Sequence, residues 1–145
     1  MTSYVETKEI AEPSYYMQNP SLGTTIMAAE YDGGVIIAAD SRTTTGSYIV
    51  DRVSDKLTPL TDYIYCCRSG SAADTQMMAE IAYYRLYANS LQLNEEPKVK
   101  TAAHNLMNLC YEYRADIMAG LIVAGWDKYE GGQVMICFLF LFPLI

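Results

Sequence analysis

TIMAAEYDGGVIIAA, Thr25 to Ala39, sets two apolar segments on either side of an Asp32-Gly33 turn. Apolar runs flanking Asp-Gly are a strong short-range hairpin signal, so this stretch predicts two paired strands, both largely buried. Working outward, Asp40–Gly46 (DSRTTTG) is polar and threonine-rich, and Tyr48–Val53 and Tyr63–Arg68 lie on either side of Lys56 and Pro59. Their β-branched and aromatic content reads as further strands. At Ser71 the period changes. Ser71 with Asp74 three residues on makes a capping-box start, and Met77, Ile81, Tyr84, Ala88 and Leu91 recur at spacings that form one helical face. Asn94-Glu95-Glu96-Pro97 closes that helix, and Pro97 suits the first turn of a second. The second apolar face runs Val99, Ala103, Leu106, Cys110, Tyr113 and Ile117 until Gly120. Leu121–Trp126, a turn through Asp127 to Gly132, and Gln133 onward predict a second hairpin. Strands, two consecutive helices, then strands again is an α+β order, with helices on a face of an antiparallel sheet.

The chain has 145 residues, 51% of them apolar, with 17 acidic against 10 basic side chains and a net charge of −7. That describes one modest soluble domain. With no basic cluster to neutralise phosphates, nucleic acid is excluded as a partner. Cys66, Cys67, Cys110 and Cys137 contain no C-x-x-C pair, so free thiols in a reducing compartment are expected, and no metal site is spelled out. Of the neighbours Cys66 and Cys67, one is expected to face the core and the other outward. The single histidine, His104, sits at the edge of the second helical stripe and is assigned no role. The methionines and most tyrosines are expected to fill the core.

The ends differ from the middle. Residues 1–23 mix Tyr, Glu and Pro without an apolar run, which reads as an exposed leader and excludes a secretory signal. MICFLFLFPLI, residues 135–145, is apolar but far short of the roughly twenty residues a membrane-spanning helix needs. It is expected to be a divergent apolar tail, a truncated or alternative end, and no membrane partner is expected.

One constellation carries chemistry. If the bond between Gly23 and Thr24 were cut, Thr24 would hold a hydroxyl nucleophile and a free α-amine on one residue. Such an amine titrates at about 7.7–8.0, close enough to neutrality to take the hydroxyl proton. Asp40 and Lys56 would supply a charged pair beside it. Gly70, where a strand meets a helix, can turn its amide toward a developing oxyanion. On residue type alone Asp40 could cap a turn, and a lysine such as Lys56 is more often a solvated surface residue.

The wider wording narrows this. GTTIMAAEYDGGVIIAADSRTTTGSYIVDRVSDKLTPL, CCRSGSAADTQ and MAGLIVAGWD resemble the catalytic beta subunits of the 20S proteasome, N-terminal threonine hydrolases, and within them the type with caspase-like specificity. The resemblance runs from about Gly23 to Val134. It implies an αββα sandwich, incomplete here at its C-terminal end, loss of the leader 1–23 on maturation, and a hydrolase portion at 24–134. It also implies assembly with other alpha and beta subunits in stacked rings, unfolded polypeptides as substrates, no cofactor, and a place in cytoplasm and nucleus. Residue by residue, the resemblance makes Thr24 the nucleophile, Lys56 and Asp40 its supporting pair, and Gly70 the oxyanion donor. Thr44 and Ala72 would pair through their backbones with an extended substrate. Arg68 would select acidic side chains, a position that resembles the constitutive rather than the immune-inducible member.

After Val134 the resemblance stops, and an Asp and two Ser that brace the threonine in the family have no counterpart in residues 135–145. Two readings follow: a threonine-type endopeptidase subunit cleaving after acidic residues, or an incomplete variant that is non-catalytic and acts as a defective assembly competitor. The second carries an uncovered apolar sheet face and an unpaired edge.

Overall fold

The structure, a computed structural model, describes residues 24–45, 48–117 and 119–138; residues 1–23, read above as a leader, and residues 139–145 of the expected tail lie outside that range. The first hairpin forms as expected. β1 (Ile26–Tyr31) and β2 (Gly34–Ala39) pair antiparallel, with Ile26 opposite Ala39 and Tyr31 opposite Gly34. A short ribbon follows, β3 (Thr43–Thr45) with β4 (Tyr48–Asp51). The main sheet is β5 (Leu57–Thr61), β6 (Ile64–Gly70), β7 (Ala119–Asp127) and β8 (Gly131–Phe138), in that spatial order and antiparallel throughout. Helices α1 (Ala72–Leu93) and α2 (Val99–Glu112) connect β6 to β7 and cover one face of this sheet. The β1–β2 hairpin lies against the other face. The α+β class holds, with an α layer and two β layers among the described residues.

Three expectations about burial are corrected, each by the layering. The first hairpin is not largely buried: Met27 and Ile36 are 55% and 56% exposed. A two-stranded ribbon turns one face to the main sheet and the alternate side chains outward. Cys66 and Cys67 are both buried, because β6 is an inner strand covered on both faces. Cys66 packs with Leu106, Leu121 and Val123 in the helix-side core, and alternation turns Cys67 to the hairpin side. On α1 the stripe read from sequence is the outer one: Tyr84 and Leu91 are exposed, and Thr75, Met78, Ala79, Ala82 and Leu86 face the sheet. Small residues let the helix axis approach the strands, and apolar side chains all round α1 mask its true face. The outward face carries Tyr83, Tyr84 and Tyr87, so these tyrosines are surface residues rather than core filling.

Two elements were not evident in the sequence. β3 hides in the threonine-rich segment. β5 contains Pro59, which normally argues against a strand, but β5 is the sheet edge and its register shifts between Pro59 and Thr61. The α1 start is as read, with the Ser71 side chain accepting from the Asp74 N–H, and Asn94 closes the helix at φ 49°. Helix α2 ends at Glu112, eight residues before Gly120, and Pro97 precedes its cap Lys98 rather than opening the first turn.

No side chain of its own caps α2. Instead Asp127, 7% exposed at the end of β7, accepts the Val99 N–H at 3.1 Å, the Tyr129 and Glu130 N–H groups at 2.9 and 2.8 Å, and the Gln133 amide at 2.8 Å. Burial disfavours the Asp127 anion, but these four donors outweigh it and hold the carboxyl below its ordinary range. Asp127→Ala strands a buried Val99 N–H and is expected to destabilise the fold by about 3 kcal/mol, read from urea midpoints. Because the folded carboxyl titrates lower than the unfolded one, this stabilisation is present above the ordinary carboxylate range and fades as pH falls through the folded value. The gap between the two proteins therefore narrows in acid; a gap constant from pH 7 to pH 3 would show that Asp127 acts as an uncharged acceptor.

Candidate active site

Three segments bring the sequence-read residues together at the end of the hairpin away from its turn. Thr24 immediately precedes β1, and Asp40 immediately follows β2. The two strands are tied there twice: the Asp40 N–H donates to the Thr25 carbonyl at 3.0 Å, and the Thr25 N–H donates to Asp40 Oδ1 at 2.9 Å. Lys56 stands one residue before β5, its side chain 11% exposed. Its ammonium has three protons and three acceptors: Arg42 O at 2.7 Å, Asp40 Oδ2 at 3.2 Å and Thr24 Oγ1 at 3.4 Å. An ammonium committed as donor to all three has no lone pair for the threonine proton. It supplies positive charge beside Oγ1 instead.

Asp40 titrates below its ordinary range, chiefly because the Thr25 N–H favours the anion, with Lys56 and the Arg42 N–H adding to this against some burial. The Arg42 N–H reaches Oδ2 at 3.2 Å. Neither the Thr25 amide nor the Arg42 carbonyl carries a side-chain signal, so sequence reasoning could not find them.

Thr24, Thr44, Lys56, Arg68, Gly70 and Ala72 all line one cleft of 490 Å³. Asp40 pairs with Lys56 but is not itself among the lining residues. Gly70 closes β6 at φ 118°, a conformation side-chain-bearing residues rarely adopt, two residues before α1 begins. Helix N-termini carry partial positive charge, so an anion in the cleft near Gly70 is favoured. The cleft wall on the ribbon side is braced by Ser54, which donates to Asp51 Oδ2 at 2.9 Å and so receives the Thr43 hydroxyl at 2.6 Å. Arg68 comes off β6 opposite Lys56, and its N–H donates to the Lys56 carbonyl at 2.9 Å. A cleft with a hydroxyl beside a cation, a helix start and an arginine fits attack on a carbonyl and recognition of a carboxylate.

Comparison with known proteins gives the family to which this sequence is similar. A sequence model of the family described as Proteasome subunit matches residues 21–137. Proteasome subunit beta type-6 of Dictyostelium discoideum is 56% identical over 122 residues, 84% of this chain and 57% of that protein. Proteasome subunit beta type-9 of Oryzias latipes is 48% identical over 126 residues, 87% of this chain and 58% of that protein. The rat protein of the same name is 54% identical over 112 residues, 77% of this chain and 51% of that protein. The chain thus spans a little over half the length of the relatives it matches.

Lys56→Met removes the cation from Asp40 and leaves the Thr25 donor in place. The Asp40 titration, followed by carboxyl carbon NMR, is expected to move upward yet stay below the ordinary range, since the Thr25 N–H is the larger cause. An Asp40 titration that does not move in Lys56→Met would show that the ion pair is not formed.

Proposed function

The chain belongs to the proteasome subunit family, on its beta-type branch, and from that premise we propose that it is a threonine-type endopeptidase subunit that cleaves peptide bonds after acidic residues. The observation that carries this reading is the Lys56 ammonium held between Thr24 Oγ1, Asp40 and the Arg42 carbonyl in the cleft that Arg68 and Gly70 line. Maturation removes residues 1–23 and frees the Thr24 α-amine. The Thr24 hydroxyl attacks the scissile carbonyl while its proton passes to that amine, which has a free lone pair and a suitable affinity. The oxyanion forms beside the Gly70 N–H and the α1 start, and Lys56 lowers the cost of negative charge at Oγ1. The amine returns its proton to the departing amine of the substrate, leaving an ester on Thr24. Water, deprotonated by the same amine, releases the acid product and restores the hydroxyl.

Backbone groups of Thr44 and Ala72 align an extended, unfolded chain as an added strand, which makes recognition independent of most side chains. Arg68 then reads the residue before the cut, where a carboxylate matches a guanidinium fork. The protein works among other alpha and beta subunits in stacked rings, in cytoplasm and nucleus. The outward apolar residues of the hairpin and of α1 suit burial in such an assembly.

Particles recovered from cells test this. An intact mass lacking residues 1–23, with turnover of a fluorogenic peptide ending in Glu that disappears in Thr24→Ala, is the expected result. Only the unprocessed chain, or turnover that survives Thr24→Ala, would overturn the assignment. Arg68→Leu is expected to lower kcat/KM for the Glu-ended peptide roughly 10- to 100-fold, the loss of charge-assisted bonds to one carboxylate. A Leu-ended peptide measured in parallel reports the change in preference.

A further inference from the structure

We propose that Thr58 and Thr75 are positioning residues for acidic-substrate selection: with the Asp55 carbonyl they form a neutral cradle that aims Arg68 at the substrate carboxylate. This rests on the reading of Arg68 as the selecting residue. A guanidinium offers five N–H groups. Nε donates to Thr58 Oγ1 at 2.8 Å, Nη1 to Thr75 Oγ1 at 3.3 Å and Nη2 to the Asp55 carbonyl at 2.9 Å. Two N–H groups remain, one on each terminal nitrogen, which is the pair a carboxylate takes bidentately.

The acceptor at Thr75 is fixed in polarity. Thr75 is 1% exposed, and its hydroxyl lies 2.8 Å from the Ser71 carbonyl and 3.3 Å from that of Ala72, which can only accept. The single Thr75 proton therefore goes to the α1 backbone, and the oxygen lone pairs are left for Arg68. Burial keeps water from taking that place. Thr75 ties the guanidinium to the first turn of α1, next to Gly70 and Ala72. Thr58 and Asp55 tie it to the segment that carries Lys56. The selecting group is thus placed relative to both halves of the cleft before any substrate arrives, which removes an ordering cost from binding.

All three acceptors are uncharged, and among the described residues no carboxylate forms an ion pair with Arg68. The cradle fixes direction without neutralising charge. Asp51 and Asp55 line the same cleft without pairing with Arg68, so among the described residues a direct carboxylate partner is left for an arriving acidic side chain to supply.

The test uses particles assembled with the full chain carrying Thr58→Val, Thr75→Val or Thr75→Ser, alongside Arg68→Leu. The readout is the ratio of kcat/KM for a Glu-ended peptide to that for a Leu-ended one, so the number of active sites cancels. Each Val variant is expected to lower this ratio roughly fivefold, chiefly by raising KM for the Glu-ended peptide, and Thr75→Ser to restore it. A merely structural role would slow both peptides together; a ratio unchanged in the Val variants while Arg68→Leu collapses it overturns the cradle alone. A ratio unchanged in Arg68→Leu overturns the underlying reading and the cradle with it. If Thr75→Val, buried in the first turn of α1, prevents assembly, Thr58→Val on the edge strand decides the question by the same ratio.

Discussion

The ammonium of Lys56 is the constraint around which the site is built. A cation with an 11% exposed side chain needs every proton matched, and its three acceptors come from the residue before β1, the residue after β2 and the segment beyond it. The position of the Thr24 hydroxyl is therefore also a condition for burying Lys56. Displacing the hairpin end by an ångström would cost the lysine its partners, so the layer that carries Thr24 is tied to the edge of the main sheet by charge as well as by apolar packing.

That tie works because the other end of the hairpin is fixed independently. Glu30 reaches across to accept the Val134 N–H of β8 at 2.7 Å, where the edge strand of the main sheet would otherwise present an unpaired donor. Gly132 lies so close to the hairpin turn that a Cβ there would sit 2.6 Å from the Gly34 carbonyl. Glycine at this point allows backbone-to-backbone contact between the layers that any side chain would prise apart. With the turn end set by this contact and the open end by Lys56, the hairpin has little freedom to slide. On the far face, Asp127 joins the end of β7 to the start of α2, so the helices are indexed to the same strands.

The fold class and most of its strands and helices were legible because period-2 and period-3.6 patterns are local. What failed was whatever depends on a partner distant in the chain. The sheet-facing side of α1 could not be told from its tyrosine-rich opposite, since both are apolar and only the sheet decides between them. β5 was hidden by Pro59, whose tolerance depends on β5 being an edge. One of Cys66 and Cys67 was expected outside because one-sided burial is the usual case for adjacent strand residues, and only the second layer buries both. The cap of α2 lies 28 residues away in Asp127. In the candidate site, the side chains were named through resemblance to a family, and the structure brings them together. The Arg42 carbonyl and the Thr25 amide were not named, because every residue has a backbone and none announces its use.

Lys56 and Arg68 carry the same charge into the same cleft and are treated in opposite ways. Lys56 meets an anion, Asp40, that is itself held ionised by the Thr25 N–H, so its charge is largely met within the protein and felt mainly at the neighbouring hydroxyl. Arg68 meets two hydroxyls and a carbonyl, which orient it and leave it, among the described residues, without a directly paired carboxylate. Under the proposed function, the difference follows from what each cation would have to do. A group that tunes a nucleophile must hold a constant field whatever the substrate, and a fixed counter-charge provides that. A group that selects a substrate must be worth more with its ligand than without, and a built-in carboxylate would compete with the ligand for the same N–H pair. Neutral acceptors are the arrangement that fixes a guanidinium in place and still leaves it wanting an anion.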